Sequence, residues 1–232
     1  ANKPTEMWVS KRDLTNDEEL PGATLAIKDM DGNIVTTWVS TDEPHRVTGL
    51  HFGESYTLTE IRAADGYALA DNITFRLIQK TDEGGNPLEE CQVYYLTTKN
   101  ILFWKWDDWR LLDDATVIMR DDITKVQISK KDLTTKEELH GAELTLTDEK
   151  GNEIDRWVST DAPHYMERLP AGKYTLTEVT APDGYAIAER VEFEVLPTGE
   201  VQTFEMFDDT IKVKISKVDI TTNEELPGAE LV

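Results

Sequence analysis

A single cysteine, Cys91, denies this 232-residue chain any intrachain disulfide. If it works outside a cell, some other device must stabilise it. Long apolar runs are also missing, so nothing reads as a signal peptide or as a membrane-inserted segment. No stretch carries a convincing amphipathic helix pattern. Histidine is scarce, at four residues, and no cysteine has a partner, which argues against a metal site. No cofactor motif is present. Basic residues are outnumbered, with 24 Lys and Arg against 46 Asp and Glu, for a net charge of −22. That balance excludes nucleic acid and anionic membrane surfaces as natural partners. Neither a Ser/His/Asp constellation nor a phosphate loop occurs, and Cys91 reads as a small apolar residue.

What the chain does have is repetition. Lys11-Arg12-Asp13-Leu14 returns as Lys130-Lys131-Asp132-Leu133 and as Lys217-Val218-Asp219-Ile220. Each copy leads to Glu-Glu-Leu and then Gly-Ala, at Gly22-Ala23, Gly141-Ala142 and Gly228-Ala229. Trp38-Val39-Ser40-Thr41-Asp42 returns as Trp157-Val158-Ser159-Thr160-Asp161. Tyr56-Thr57-Leu58-Thr59-Glu60 returns as Tyr174-Thr175-Leu176-Thr177-Glu178, and Asp65-Gly66-Tyr67 as Asp183-Gly184-Tyr185. Met119-Arg120-Asp121-Asp122 closes one repeat as Met206-Phe207-Asp208-Asp209 closes the next. The offset is 119 residues at the first lysine (130 − 11) but 87 at the closing aspartate (208 − 121). The first repeat therefore carries an insert.

These spacings predict domains at 1–123 and 124–210, and the truncated first strands of a third repeat at 211–232. The chain lacks an initial Met and stops mid-pattern, so it is expected to be a piece of something longer. The insert, at about 79–112, turns at Glu83-Gly84-Gly85-Asn86-Pro87 and then reads as added strands, with a break at Asp107-Asp108. Its Tyr94, Tyr95, Trp104, Trp106 and Trp109 are a candidate aromatic platform for a glycan or protein ligand. Rings packed against their own domain are the plainer expectation. Short alternating runs with hairpin turns at Asp31-Gly32-Asn33 and Lys150-Gly151-Asn152 predict an all-β fold of tandem Ig-like β-sandwiches.

Alternation singles out the residues with chemistry. In a strand, every second side chain shares a face. Lys11 falls on the apolar face of Met7 and Val9, Lys130 on that of Val126 and Ile128, and Lys217 on that of Val213 and Ile215. Glu60 shares a face with Tyr56 and Leu58, and Glu178 with Tyr174 and Leu176. Asp121 shares one with Val117 and Met119, and Asp208 with Phe204 and Met206. Each full repeat thus commits a lysine, a glutamate and an aspartate to its core. Isolated buried charges are expensive, whereas three brought together neutralise one another. Burial favours a neutral amine, which is a nucleophile, and a protonated aspartic acid, whose hydroxyl leaves as water. A glutamate beside both can move the protons, giving a side-chain amide. The spacing alone fits a buried ion-pair network equally well.

The Ser-Lys-x-Asp strand, the Gly-Ala pair, the Tyr-Thr-Leu-Thr-Glu strand running into Ala181-Pro182-Asp183-Gly184-Tyr185, and the closing Met-x-Asp together resemble the CnaB-type (SpaA-like, prealbumin-like) domains of Gram-positive surface adhesins and pilins. The resemblance implies an intramolecular isopeptide bond between first and last strands: Lys11 to Asp121 with Glu60 catalytic, and Lys130 to Asp208 with Glu178 catalytic. One departure, Ala64 where the second repeat has Pro182, falls in a turn. Lys217 has no matching glutamate or aspartate in the sequence and is expected to stay a free amine on an unpaired strand. The implied role is structural: a stalk or adhesin segment, extracellular and attached to the cell wall, with further repeats of the same parent chain as partners. Bond formation is one self-directed turnover and not enzymatic activity on added substrates. The alternative is a module binding a host glycan or matrix protein through the aromatic insert. Leu196-Pro197-Thr198-Gly199 lacks a residue of a sortase signal and reads as a hairpin turn. Asp29 to Asn33 is read as a hairpin and not a calcium loop. His45 and His164 are read as matching loop residues.

Overall fold

The computed structural model describes residues 5–101, 104–112, 114–228 and 230, without the side chains of residues 89, 98–101 and 104–106. All its regular elements are strands. In the first domain, β1 (Glu6–Asp13) pairs antiparallel with β4 (His45–Thr48) and parallel with β9 (Thr116–Asp121). Facing this sheet is a larger one containing β2 (Thr24–Lys28), β3 (Ile34–Val39), β5 (Ser55–Arg62), β6 (Ile73–Thr81), β7 (Pro87–Ile101) and β8 (Trp104–Leu112). Its strand order is β3-β2-β5-β6-β7-β8. Met7, Val9, Leu25, Ile27, Leu58, Phe75, Val117 and Met119 fill the space between the two sheets.

The second domain repeats this plan with fewer strands. One sheet runs β13 (His164–Glu167), β10 (Lys125–Asp132), β16 (Val201–Asp208). The other runs β12 (Glu153–Val158), β11 (Glu143–Asp148), β14 (Gly172–Thr180), β15 (Val191–Val195). Val126, Ile128, Leu144, Leu146, Leu176 and Met206 form its separate core. The result is two tandem β-sandwiches, as alternation and turn spacing predict.

The insert adds β7 and β8 to the edge of the first domain's larger sheet. Val93 is wholly buried, and Cys91 packs on the same core with its Sγ 2.9 Å from the Glu6 carbonyl. Asp107 and Asp108 do not break the strand. They lie inside β8, paired with Thr98 and Thr97, and the Thr97 hydroxyl donates to the Asp108 carbonyl at 3.0 Å. An edge strand keeps one side in water, so its acidic residues need not interrupt the pairing.

Three other expectations are corrected. Leu196 to Gly199 is not a hairpin turn, because β15 and β16 belong to different sheets and the segment crosses between them. His45 and His164 begin strands and stack on Trp38 and Trp157, with ring centroids 4.4 and 4.3 Å apart. Val213 to Lys217 is not a strand. Its counterparts β1 and β10 are each held between two neighbours, whereas among the described residues no strand pairs with this segment, and Val213 and Ile215 are 78% and 77% exposed. The Asp29 to Asn33 and Asp148 to Asn152 segments are hairpin turns, each closed by backbone hydrogen bonds of 3.0 to 3.1 Å.

Candidate functional site

The parallel pairing of first and last strands brings the charged groups together. Lys11 lies level with Met119, and Asp13 with Asp121. Asp121 is therefore the next same-face residue along the neighbouring strand, within reach of the lysine. Lys11 Nζ lies against Asp121 Oδ1. From the opposite sheet, Glu60 on β5 brings Oε1 to 3.1 Å from the same nitrogen. All three side chains are buried. Glu60 is aimed by its second oxygen, which accepts a 2.7 Å hydrogen bond from the Ala70 N–H.

The second domain builds the same site from the same register. Lys130 lies level with Met206, and Asp132 with Asp208. Lys130 Nζ lies against Asp208 Oδ1, with Glu178 Oε1 at 3.1 Å. Glu178 Oε2 accepts from the Ala188 N–H at 2.7 Å. Asp122 and Asp209 are turned away, each holding a lysine at 2.7 Å.

Burial sets the protonation. It pushes Asp121 up to about 7 and Asp208 up to about 6, against the pull of the adjacent lysine. The neighbouring glutamate raises both further by charge, so each site favours the neutral, protonated form of its aspartic acid far more than an exposed carboxyl would. Lysine Nζ against an aspartic acid, with a second carboxyl touching the nitrogen, is the geometry of a condensation: a nucleophile, an electrophile with a leaving hydroxyl, and a proton carrier.

The sequence profile of the SpaA prealbumin-like fold domain matches residues 5–86 and 124–210. The chain belongs to this family. One match falls in each sandwich, and the first ends just before β7, the first of the two added strands. No curated protein matches the chain. Among solved structures it is similar to the Bacillus anthracis TIE protein, at 22% identity and a TM-score of 0.46, over 90% of this chain and 34% of that one. It therefore spans about a third of that protein's length. It is also similar to the C-terminal fragment of pilus adhesin SpaC from Lactobacillus rhamnosus GG, at 17% identity and a TM-score of 0.43, over 92% of this chain and all of that one. The shaft pilin SpaA of the same organism aligns at 13% identity and a TM-score of 0.36, over 92% of this chain and 100% of that one.

The remaining candidates lie elsewhere. Lys217 is exposed, unlike the buried Lys11 and Lys130. Tyr94, Tyr95 and Trp109 are half-buried. Tyr95 packs on the first core, while the Arg76 guanidinium sits 4.3 Å from the Trp109 ring and 5.6 Å from that of Tyr94. An internal cation thus occupies two of the rings proposed for ligand. The side chains of Trp104 and Trp106 lie outside the described residues, as does Ala229 of the third Gly-Ala pair. Among the described residues no group of His, Cys, Asp and Glu is placed to hold a metal ion. No described helix is long and apolar enough to cross a membrane.

Two features escaped the sequence reading. One is the pair of backbone N–H groups that aim the glutamates, which side-chain patterns do not reveal. The other is Asp13, one same-face step past Lys11 and only 4% exposed. Its place in the repeated Lys-x-Asp motif was visible; its partners, Tyr67 and Arg168, come from distant parts of the chain.

Proposed function

We propose that each sandwich locks itself with an amide between the lysine of its first strand and the aspartate of its last, and that the locked pair forms a segment of a stalk or adhesin on a Gram-positive cell surface. The observation that carries this reading is the buried trio, built twice in the same register with Nζ against the aspartate oxygen. In the reaction, the Lys11 amine in its neutral form attacks the Cγ of protonated Asp121 and passes one N–H proton to Glu60. The carboxyl hydroxyl takes a proton from Glu60 and leaves as water. One N–C bond forms, one C–O bond breaks, and the glutamate ends as it began. Lys130, Glu178 and Asp208 follow the same course. A load entering by β1 then crosses directly to β9, leaving the enclosed chain unloaded, which is what a stalk requires. The chain's partners are further repeats of the parent protein.

Peptide mapping tests the assignment. A branched peptide joining Lys11 to Asp121, and another joining Lys130 to Asp208, are expected. Glu60→Ala removes or greatly slows only the first, and Glu178→Ala only the second. Linear peptides at all four residues would reduce the trios to ion pairs.

A further inference from the structure

The junction between the sandwiches contains a built guanidinium site. Arg168, from the corner between β13 and β14, reaches back into the first domain. Its Nη2 donates to Asp13 Oδ2 at 2.9 Å and to Thr15 Oγ1 at 3.3 Å, and its Nη1 lies against the Tyr67 hydroxyl. The guanidinium carbon stands 4.9 Å from the Tyr67 ring centroid. The socket is organised by its own bonds: Tyr67 donates to Asp13 Oδ2 at 2.7 Å, and the Thr15 N–H to Oδ1 at 2.7 Å. Although burial opposes it, these bonds and the arginine hold the Asp13 carboxyl well below its usual range. The corner itself is a fitted part. Arg168 has φ +60°, where a side chain is costly, and the matching corner residue of the first domain is Gly49 at φ +83°. A Cβ on Gly66 would come within 2.6 Å of the Arg168 carbonyl oxygen, so only glycine admits that corner.

The second domain carries the same socket, and among the described residues no guanidinium is bonded to it. Tyr185 donates to Asp132 Oδ2 at 2.7 Å, and the Thr134 N–H to Oδ1 at 2.6 Å. Gly184 accepts from Ile211 N as Gly66 accepts from Thr124 N. Around the first socket Gly66, Ala68, Ile123 and Thr124 are buried; around the second, Gly184, Ala186, Thr210 and Ile211 are exposed. The third Lys-x-Asp turn has formed just beyond, with Leu226 N bonded to the Lys217 carbonyl at 2.7 Å as Leu139 N is to Lys130.

We propose that the Asp132–Tyr185 pair is a docking socket for an arginine on the corner loop of the domain that follows it in the chain, repeating the junction that Arg168 makes. The occupant is a planar, bidentate donor, which lysine cannot imitate. A domain with glycine at the corner, like the first, cannot fill the socket.

The test is a chain of residues 1–210 continued in register by a second copy of residues 124–210, whose core draws only on its own residues. In a Cys91→Ser background, spin labels at Met30 and Glu149 report the first junction. Labels at Glu149 and its counterpart in the added copy report the second. Both distance distributions are expected to be equally narrow. Asp132→Asn, or replacement of the added copy's arginine by Gln, should broaden the second at least twofold and leave the first unchanged. Asp13→Asn should do the reverse. A second junction that is broad from the outset, or one indifferent to both substitutions, overturns the proposal.

Discussion

Asp121 and Asp208 end the last strands of their domains in the same register, each beside a lysine and a glutamate, and burial raises both carboxyls above their ordinary range, yet the two ends they occupy are covered differently. Solvent reaches both equally little, at 1% exposure each. The difference lies in what surrounds them. Over the first trio sits the junction, with Asp13, Tyr67, Ile123 and the incoming Arg168. The corresponding end of the second domain is covered only by the exposed start of the third repeat. A following domain therefore adds protein over the end of the domain before it. Each trio is built within one domain, but the end that holds it is capped by the next.

Mechanical loading breaks this comparison most sharply. Each amide would enclose a segment of fixed size, 110 residues between Lys11 and Asp121 and 78 between Lys130 and Asp208. In single-molecule pulling the wild type should release almost no length from either domain. Lys11→Ala should free the first domain alone, with the longer contour step, and Lys130→Ala the second alone. Full extension of the wild type would contradict the stalk reading.

Equilibrium stability comes next. By analogy with disulfides, closing loops this long stabilises by roughly 4–5 kcal/mol each. Denaturant unfolding of Lys11→Ala and Lys130→Ala should show losses of that order, each confined to its own domain. Breaking a buried ion pair alone also costs about 3–5 kcal/mol, so the comparison is made with Glu60→Ala and Glu178→Ala chains that carry no branched peptide: equal stability of these and the lysine variants with wild type would mean that no loop is closed.

The smallest effect concerns the carboxyl proton. Condensation needs the protonated aspartic acid, so its rate falls as pH rises through the carboxyl's pKa. Because burial raises both aspartic acids well above the ordinary carboxylate range, each domain should keep its rate far beyond the pH at which an exposed carboxyl ionises and lose it as pH rises through neutrality. Refolding unreacted chain at a series of pH values, with acid quenching and mass analysis, checks this. Rates already lost at the pH where an exposed aspartic acid ionises would remove the buried acid from the mechanism.

Most of this was legible in the sequence because strand alternation has a period of two. Met7, Val9 and Lys11 announce a lysine in the core without any knowledge of the fold. The repeat offsets likewise locate the extra strands. What alternation does not encode is pairing. Leu196 to Gly199 looks like a turn between neighbouring strands, but which sheet each strand joins is a long-range outcome. Val213 to Lys217 repeats the pattern of β1, yet strand geometry depends on partners, and no described strand pairs with this segment. Arg168 was hidden for a different reason. It breaks the repeat, standing where the first domain has Gly49, and a difference carries no meaning until the contact it makes is seen.

The central claim is covalent, so the intact mass of the folded, purified chain tests it most directly. Two closed trios and a free Lys217 predict a mass two waters below that of the sequence. Lys11→Ala or Asp121→Ala should leave a deficit of one water. A wild-type chain at full sequence mass would contradict the account, and a deficit of three waters would show that Lys217 has found a partner.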